Sequence, residues 1–386
     1  MSLSWSIKVV LTLNLSATRT LYPIELKRFL SIEKTLESRS WIHCWDEIRR
    51  GATPLREFPE LAERLAVAAV SIKDESSRSR LGTAEALGAP IGLVRLILRL
   101  WSHHDLDPCA LLMGAYRDLL THFTVVTTDR NYGVGLAAVA RTVGCRCMVV
   151  LHADVGLRRE QAIVAYGGHT IRVPGGHEEA VDTAGTLAAL NGWHVIPDES
   201  EDSSGGVSPD GMQGYGTIAA EIVEQSGSEP SRSAFSHVFL QGCMNSLAAG
   251  LVSYLWEFHG DNRPRFTIIE PSTVERLHPS NLGRFIFEDA SLADFMAFVP
   301  PCSETAMVAW QYLQSSIDGV ITGCVAKSPN VTWMPESGVR VDPLLVALEP
   351  AIATLAAVMA MKDNKWARAA GLNKSSRILL VKTEDF

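Results

Sequence analysis

The chain has 386 residues, a formal net charge of −8, 47% apolar residues and 20% charged residues. That composition can bury a sizeable core, in two domains or one large α/β body. It excludes long-range disorder and a generally nucleic-acid-binding surface, and no run reaches the ~18–20 apolar residues of a membrane span.

The N-terminal run is broken by Thr12 and Asn14, lacks a signal-peptide layout, and reads as an added strand. From residue 123 the pattern alternates. A buried strand at 123–129 precedes a helix with Leu136, Val139, Ala140 and Val143 on its apolar face. Strands at 147–151, 170–173 and 194–197 then alternate with helices at 158–166 and 178–190. This spacing predicts a parallel sheet covered on both faces. A Gly/Ser/Asp-rich stretch at 199–211 marks a junction or mobile loop. Beyond it the pattern predicts a helix at 216–225, a strand at 237–241, a helix at 246–258, and strands at 266–270 and 378–382.

Gly133, Gly135 and Ala138 fit G-x-G-x-x-A, with Asp154 after the next strand, as in a dinucleotide fingerprint. Four residues between strand and first glycine weaken that reading, because the Rossmann turn is tighter. Cys145 and Cys147 share a strand face but lack a nearby pair to complete a metal site, so they read as buried structural thiols. His103, His104, Asp105 and Asp107 read as solvated loop residues, and no metal is expected. Seven scattered cysteines form no disulfide framework and fit a reducing, cytoplasmic setting. The turn Gln241 to Ser246 leads from a strand into a helix start, a place where backbone N–H groups can take an anion. Between Lys73 and Lys327 there is no lysine, so imine chemistry in that stretch has no amine to use.

Several short segments occur in a fixed order: Thr53-Pro54-Leu55; Lys73-Asp74-Glu75-Ser76 with Arg78; Leu81-Gly82-Thr83-Ala84-Glu85-Ala86-Leu87-Gly88; Thr128-Asp129-Arg130-Asn131-Tyr132-Gly133; Met212-Gln213-Gly214-Tyr215-Gly216-Thr217; Cys302-Ser303-Glu304; Glu336-Ser337-Gly338; and Leu372-Asn373-Lys374 to Thr383-Glu384. Over residues 50–386 the chain resembles the fold-type II pyridoxal-phosphate (PLP) enzymes, and among them the diaminopropionate ammonia-lyases. The resemblance implies an α/β, two-domain architecture of the tryptophan synthase β type, with mostly parallel sheets covered by helices. A large domain would comprise 1–92 and 206–386, with 1–50 as an N-terminal extension, and a small domain would be inserted at 93–205.

The departures fall on the chemistry. Glu85 stands where the family carries its PLP-binding lysine. Met244 and Asn245 crowd the phosphate loop, and Arg130 and Tyr132 replace small or imidazole-bearing residues. Asp129 matches the family's aspartate base, Asn131 the partner of the ring hydroxyl, and Thr383 the neighbour of the ring nitrogen. The expectation is therefore a protein with no cofactor and no covalent PLP. Glu85 and Asp129 would act as an acid/base pair on a small molecule in the interdomain cleft, by elimination, isomerisation or cyclisation. Arg78, Arg130, Asn131, Tyr132, Gln241, Asn245, Ser246, Glu304 and Thr383 would bind the substrate. Two alternatives stay open: an inactive ligand-binding or partner subunit, and a PLP-dependent lyase using an unusual lysine, for which Lys73 is the nearest candidate. The resemblance also implies a homodimer, with no nucleic-acid or membrane partner.

Overall fold

The structure is a computed structural model that describes residues 8–128, 131–196, 210–241, 246–272, 287–290, 309, 312–324 and 368–383. Its strands in chain order are Lys8–Asn14 (β1), Leu55–Glu57 (β2), Ala69–Asp74 (β3), Thr124–Thr128 (β4), Arg146–Leu151 (β5), His169–Arg172 (β6), His194–Val195 (β7), His237–Gln241 (β8), Arg265–Ser272 (β9), Phe287–Ala290 (β10), Ile317–Cys324 (β11) and Arg377–Lys382 (β12). The helices are Ile24–Lys27 (α1), Ile32–Ile42 (α2), Pro59–Leu65 (α3), Gly88–Leu100 (α4), Pro108–Leu112 (α5), Arg117–Leu120 (α6), Asn131–Val143 (α7), Leu157–Ala165 (α8), His177–Asn191 (α9), Asp210–Ser226 (α10) and Ser246–His259 (α11).

The strands form two sheets. The larger has the order β10-β1-β11-β9-β8-β12-β3-β2, and the smaller β6-β5-β4-β7. All pairs of the smaller sheet are parallel. In the larger sheet β11, β9, β8, β12 and β3 run parallel, while β2 and β1 add antiparallel pairs to β3 and β11. This is the expected α/β fold of mostly parallel sheets covered by helices.

Side-chain alternation explains how both sheets are covered. On the small sheet, Val125, Cys147 and Val149 face the cluster that holds Leu136, Val139 and Ile163 of α7 and α8. Val126 and Val150 face the other way, onto Ala180 and Ala184 of α9. On the large sheet, Val238, Leu240, Phe266, Ile268 and Leu379 join the main core, and Phe239, Ile269, Ile378 and Leu380 the core beneath the opposite face.

Helix α10 is buried on nearly all sides, as a helix inside a large α/β body must be. It is packed by close approach. A Cβ at Gly214 would overlap the Leu87 carbonyl oxygen, one at Gly216 the Thr35 hydroxyl, and one at Gly250 of α11 the Met212 carbonyl oxygen. The segment around Gln213-Gly214-Tyr215-Gly216 is thus the seam where α10 meets α2, the start of α4, and α11. Gln213 also donates from Nε2 to the Phe29 carbonyl, 2.9 Å away, tying the N-terminal segment to α10.

Two sequence readings change here, and a third, already weak, falls away. Gly133 and Gly135 lie inside α7, not in a strand-to-helix turn, so the dinucleotide fingerprint has no structural counterpart. Cys44 and Cys109 are joined as a disulfide between the turn after α2 and α5, with Cα atoms 5.3 Å apart, against the expectation of unpaired thiols. Asp107 caps α5 by accepting from the Ala110 N–H at 2.6 Å. Cys145 and Cys147 are buried thiols, and burial pushes Cys145 up to about 12. The stretch at 199–211 lies largely outside the described residues. No helix among the described residues is long and apolar enough to cross a membrane.

Candidate active site

Ligands of parallel sheets bind at the carboxyl ends of the strands. At that edge β3 runs into the short 3-10 turn Glu75–Ser77, and the chain continues to a second one, Ala84–Leu87, which leads into α4. Glu85 lies in the second turn and is half-buried. Its backbone is gripped from several directions. Thr83 caps the turn, its hydroxyl accepting from the Glu85 N–H at 3.2 Å. The Ala84 N–H donates to the Thr383 carbonyl at 3.0 Å, just past β12. The Tyr215 hydroxyl of α10 donates to the Glu85 carbonyl at 3.4 Å. Gly135 of α7 lets that helix close in: a Cβ there would sit 3.3 Å from Ala89 Cβ and 3.9 Å from the Glu85 carbonyl oxygen.

The loop that carries Glu85 rests on a buried ionic cluster. Arg78 Nε is 2.6 Å from a Glu75 oxygen, and its Nη2 is 2.7 Å from Glu221 of α10. Lys73 Nζ is 2.6 Å from the same Glu221 oxygen and 2.9 Å from Gln225 Oε1. All four charged side chains are shielded from solvent. Burial alone would raise the Glu221 carboxyl, but Arg78 and Lys73 reverse this and hold it at about 2. Burial lowers the Lys73 ammonium, against the pull of Glu221 and Glu75.

This cluster corrects the role expected of Arg78. Its guanidinium is spent on Glu75 and Glu221 inside the protein rather than on an anionic substrate. Lys73 is engaged in the same way, so its amine is not presented to a cleft. Tyr132 is also internal, at 2% exposure, with its hydroxyl against Gly92 of α4 and near Gly211 of α10. The sequence reading gives Glu75, Glu221 and Tyr215 no chemical role. The signal for Glu221 was present: an acid inside an otherwise apolar helical stretch, which needs a buried cation.

Asn131 opens α7, Gln241 closes β8, and buried Ser246 opens α11. Thr383 follows β12 beside the Glu85 turn. Asp129, Arg130, Asn245 and Glu304 lie outside the described residues.

A family model described as "Pyridoxal-phosphate dependent enzyme" matches residues 47–384. The chain belongs to the pyridoxal-phosphate-dependent enzymes. Diaminopropionate ammonia-lyase of Escherichia coli K12 is 26% identical over 345 residues, covering 86% of this chain and 84% of that one. The Salmonella typhimurium LT2 protein of the same name is 25% identical over the same coverage. Among solved structures, the holo diaminopropionate ammonia-lyase from E. coli gives a TM-score of 0.75 at 23% identity, over 98% of this chain and 94% of that one. Maize serine racemase gives 0.60 at 17%, over 92% and 93%.

These findings overturn the expectation of a cofactor-free protein. The family is defined by PLP dependence, and the E. coli relative has been solved as the holo form and with a PLP-bound reaction intermediate. The described residues fit that cofactor in outline. At the carboxyl edge, β8 ends at Gln241 and α11 begins at Ser246, and a buried serine at the helix start suits a phosphate. Thr383 and the Glu85 turn meet one another along the same edge. Residue 85 itself is a carboxylate, which forms no imine with an aldehyde.

Proposed function

We propose that this protein is a PLP-dependent lyase of the diaminopropionate ammonia-lyase type, acting by elimination on a small amino acid. In this reading PLP is held through its phosphate and ring rather than by a bond to residue 85. The observation that carries the reading is the family match over 47–384, together with the grip of Thr383 and Tyr215 on the Glu85 turn. When bound, PLP supplies an electron sink for the pair left as a proton departs next to the substrate nitrogen.

The chain's own residues do the rest. Glu85 and Asp129 take and return protons, Glu85 at its carboxylate oxygens within the cleft. Arg130 pairs with the substrate carboxylate. Gln241, Asn245 and Ser246 receive the phosphate, while Asn131, Glu304 and Thr383 line the ring and substrate. Tyr132 and Arg78 act as supports, through packing against α4 and α10 and through the ionic cluster.

Ammonia release from 2,3-diaminopropionate, measured with and without added PLP, tests this. The expected result is PLP-dependent release, with kcat lowered about 100-fold in Glu85→Gln and in Asp129→Asn. Release that both variants leave intact would contradict the residue roles. A second reading is favoured by the carboxylate at position 85: a PLP-binding subunit without turnover. Retained PLP with no ammonia release would select it.

A further inference from the structure

At the opposite, amino-terminal edge of the large sheet, β8, β9 and β12 begin around a cleft of about 410 Å³. Its walls carry Arg19, Arg263 and Arg265, with Ser231, Asn262 and Phe235. Arg263 forms a buried floor, at 2% exposure, and donates to the Thr18 carbonyl at 2.7 Å. Arg19 and Arg263 share one carboxylate, Asp318, at 2.7 and 2.9 Å. The Arg265 guanidinium is exposed, lies over Gly371, and has no acid or hydrogen-bond acceptor among the described residues.

Three arginines against one aspartate leave a positive surplus. It persists when Asp261, which holds Asn262 at 3.0 Å, is counted as well. The chain as a whole carries −8, so this local surplus runs against the overall field. Nearby groups register it. Burial lowers His237 to about 4, and Arg265 and Arg19 push in the same direction. Burial also lowers the Arg263 guanidinium, with Arg19 and Arg265 adding to the effect against Asp318.

We propose that this cleft binds a small phosphate monoester. The open Arg265 guanidinium, the Ser231 hydroxyl and the Asn262 amide offer phosphate its direct donors, while Arg19 and Arg263, committed to Asp318 and to backbone carbonyls, add positive field. The volume exceeds what a bare ion needs and falls in the range of small-molecule sites, and Phe235 offers an apolar wall for the organic part. The site is separate from the active-site edge. Strands β8 and β12 run from the cleft to Gln241 and towards Thr383, roughly 13–17 Å at ~3.3 Å per residue. Its occupant is therefore an effector, bound at one end of strands whose other end bears the chemistry.

Calorimetric titration with ribose 5-phosphate and with inorganic phosphate tests this, on the wild type and on Arg265→Gln. Arg265 is exposed, and a thermal melt of the variant verifies folding. The expected result is ribose 5-phosphate binding that weakens at least tenfold in Arg265→Gln, with inorganic phosphate binding more weakly but losing affinity likewise. Any anion binding at the start of α11 would be equal in both proteins, so equal affinities overturn the proposal. So does binding of inorganic phosphate alone, which would mean an adventitious ion only, and so does the absence of heat with both probes.

Discussion

Glu221 holds two buried cations at once, and that gives it more leverage on stability than any surface acid. Its ordinary value near 4.5 falls to about 2 in the folded chain because Arg78 and Lys73 outweigh its burial. The folded carboxyl binds its proton less readily than the unfolded one. It therefore contributes stability that is fully present above about 4.5 and is lost as pH falls towards 2. Glu221→Gln leaves Arg78 and Lys73 with only Glu75, and is expected to cost about 3–5 kcal/mol in urea unfolding at pH 7. The difference from wild type should shrink as the pH is lowered through that window, and an unchanged midpoint at pH 7 would contradict it. At this scale the sequence was half legible. Lys73, Glu75 and Arg78 stand together in one motif, but their partner is 148 residues from Lys73; its apolar surroundings mark it as needing a cation without saying which. The sequence alone therefore points Arg78 to a substrate, whereas its guanidinium faces Glu75 and Glu221.

Helix and strand placement was read more easily, because periodicity is local. The expected strands at 123–129 and 147–151 correspond to Thr124–Thr128 and Arg146–Leu151, and the helix expected at 246–258 to Ser246–His259. The helix expected from 216 begins earlier, at Asp210, because Gly211, Gly214 and Gly216 resemble loop residues until their neighbours are known. Those glycines serve packing. At Gly214, alanine would gain about 1 kcal/mol in helix propensity but collide with the Leu87 carbonyl. Gly214→Ala is therefore expected to be net destabilising by about 1–3 kcal/mol in thermal or urea unfolding. Leu87 is two residues from Glu85, so PLP retention should also fall. A variant as stable as wild type would show that α10 can shift away at no cost. The Cys44–Cys109 link was not legible, since spacing alone does not bring the turn after α2 beside α5.

At the scale of the whole chain, the order of short motifs points to the family, and the family model matches across 47–384. The expectation of a lost cofactor rests on a few side chains, and it gives way before a scaffold whose relatives use PLP. In the function proposed above, Glu85 changes the way the cofactor is held. The most direct test is Glu85→Lys, incubated with PLP, reduced with borohydride and mapped by peptide mass. The expected result is a pyridoxyl group on residue 85 in the variant, and none at that position in the wild type. Modification confined to other lysines, in a variant that still retains PLP, would contradict the placement of residue 85 at the cofactor.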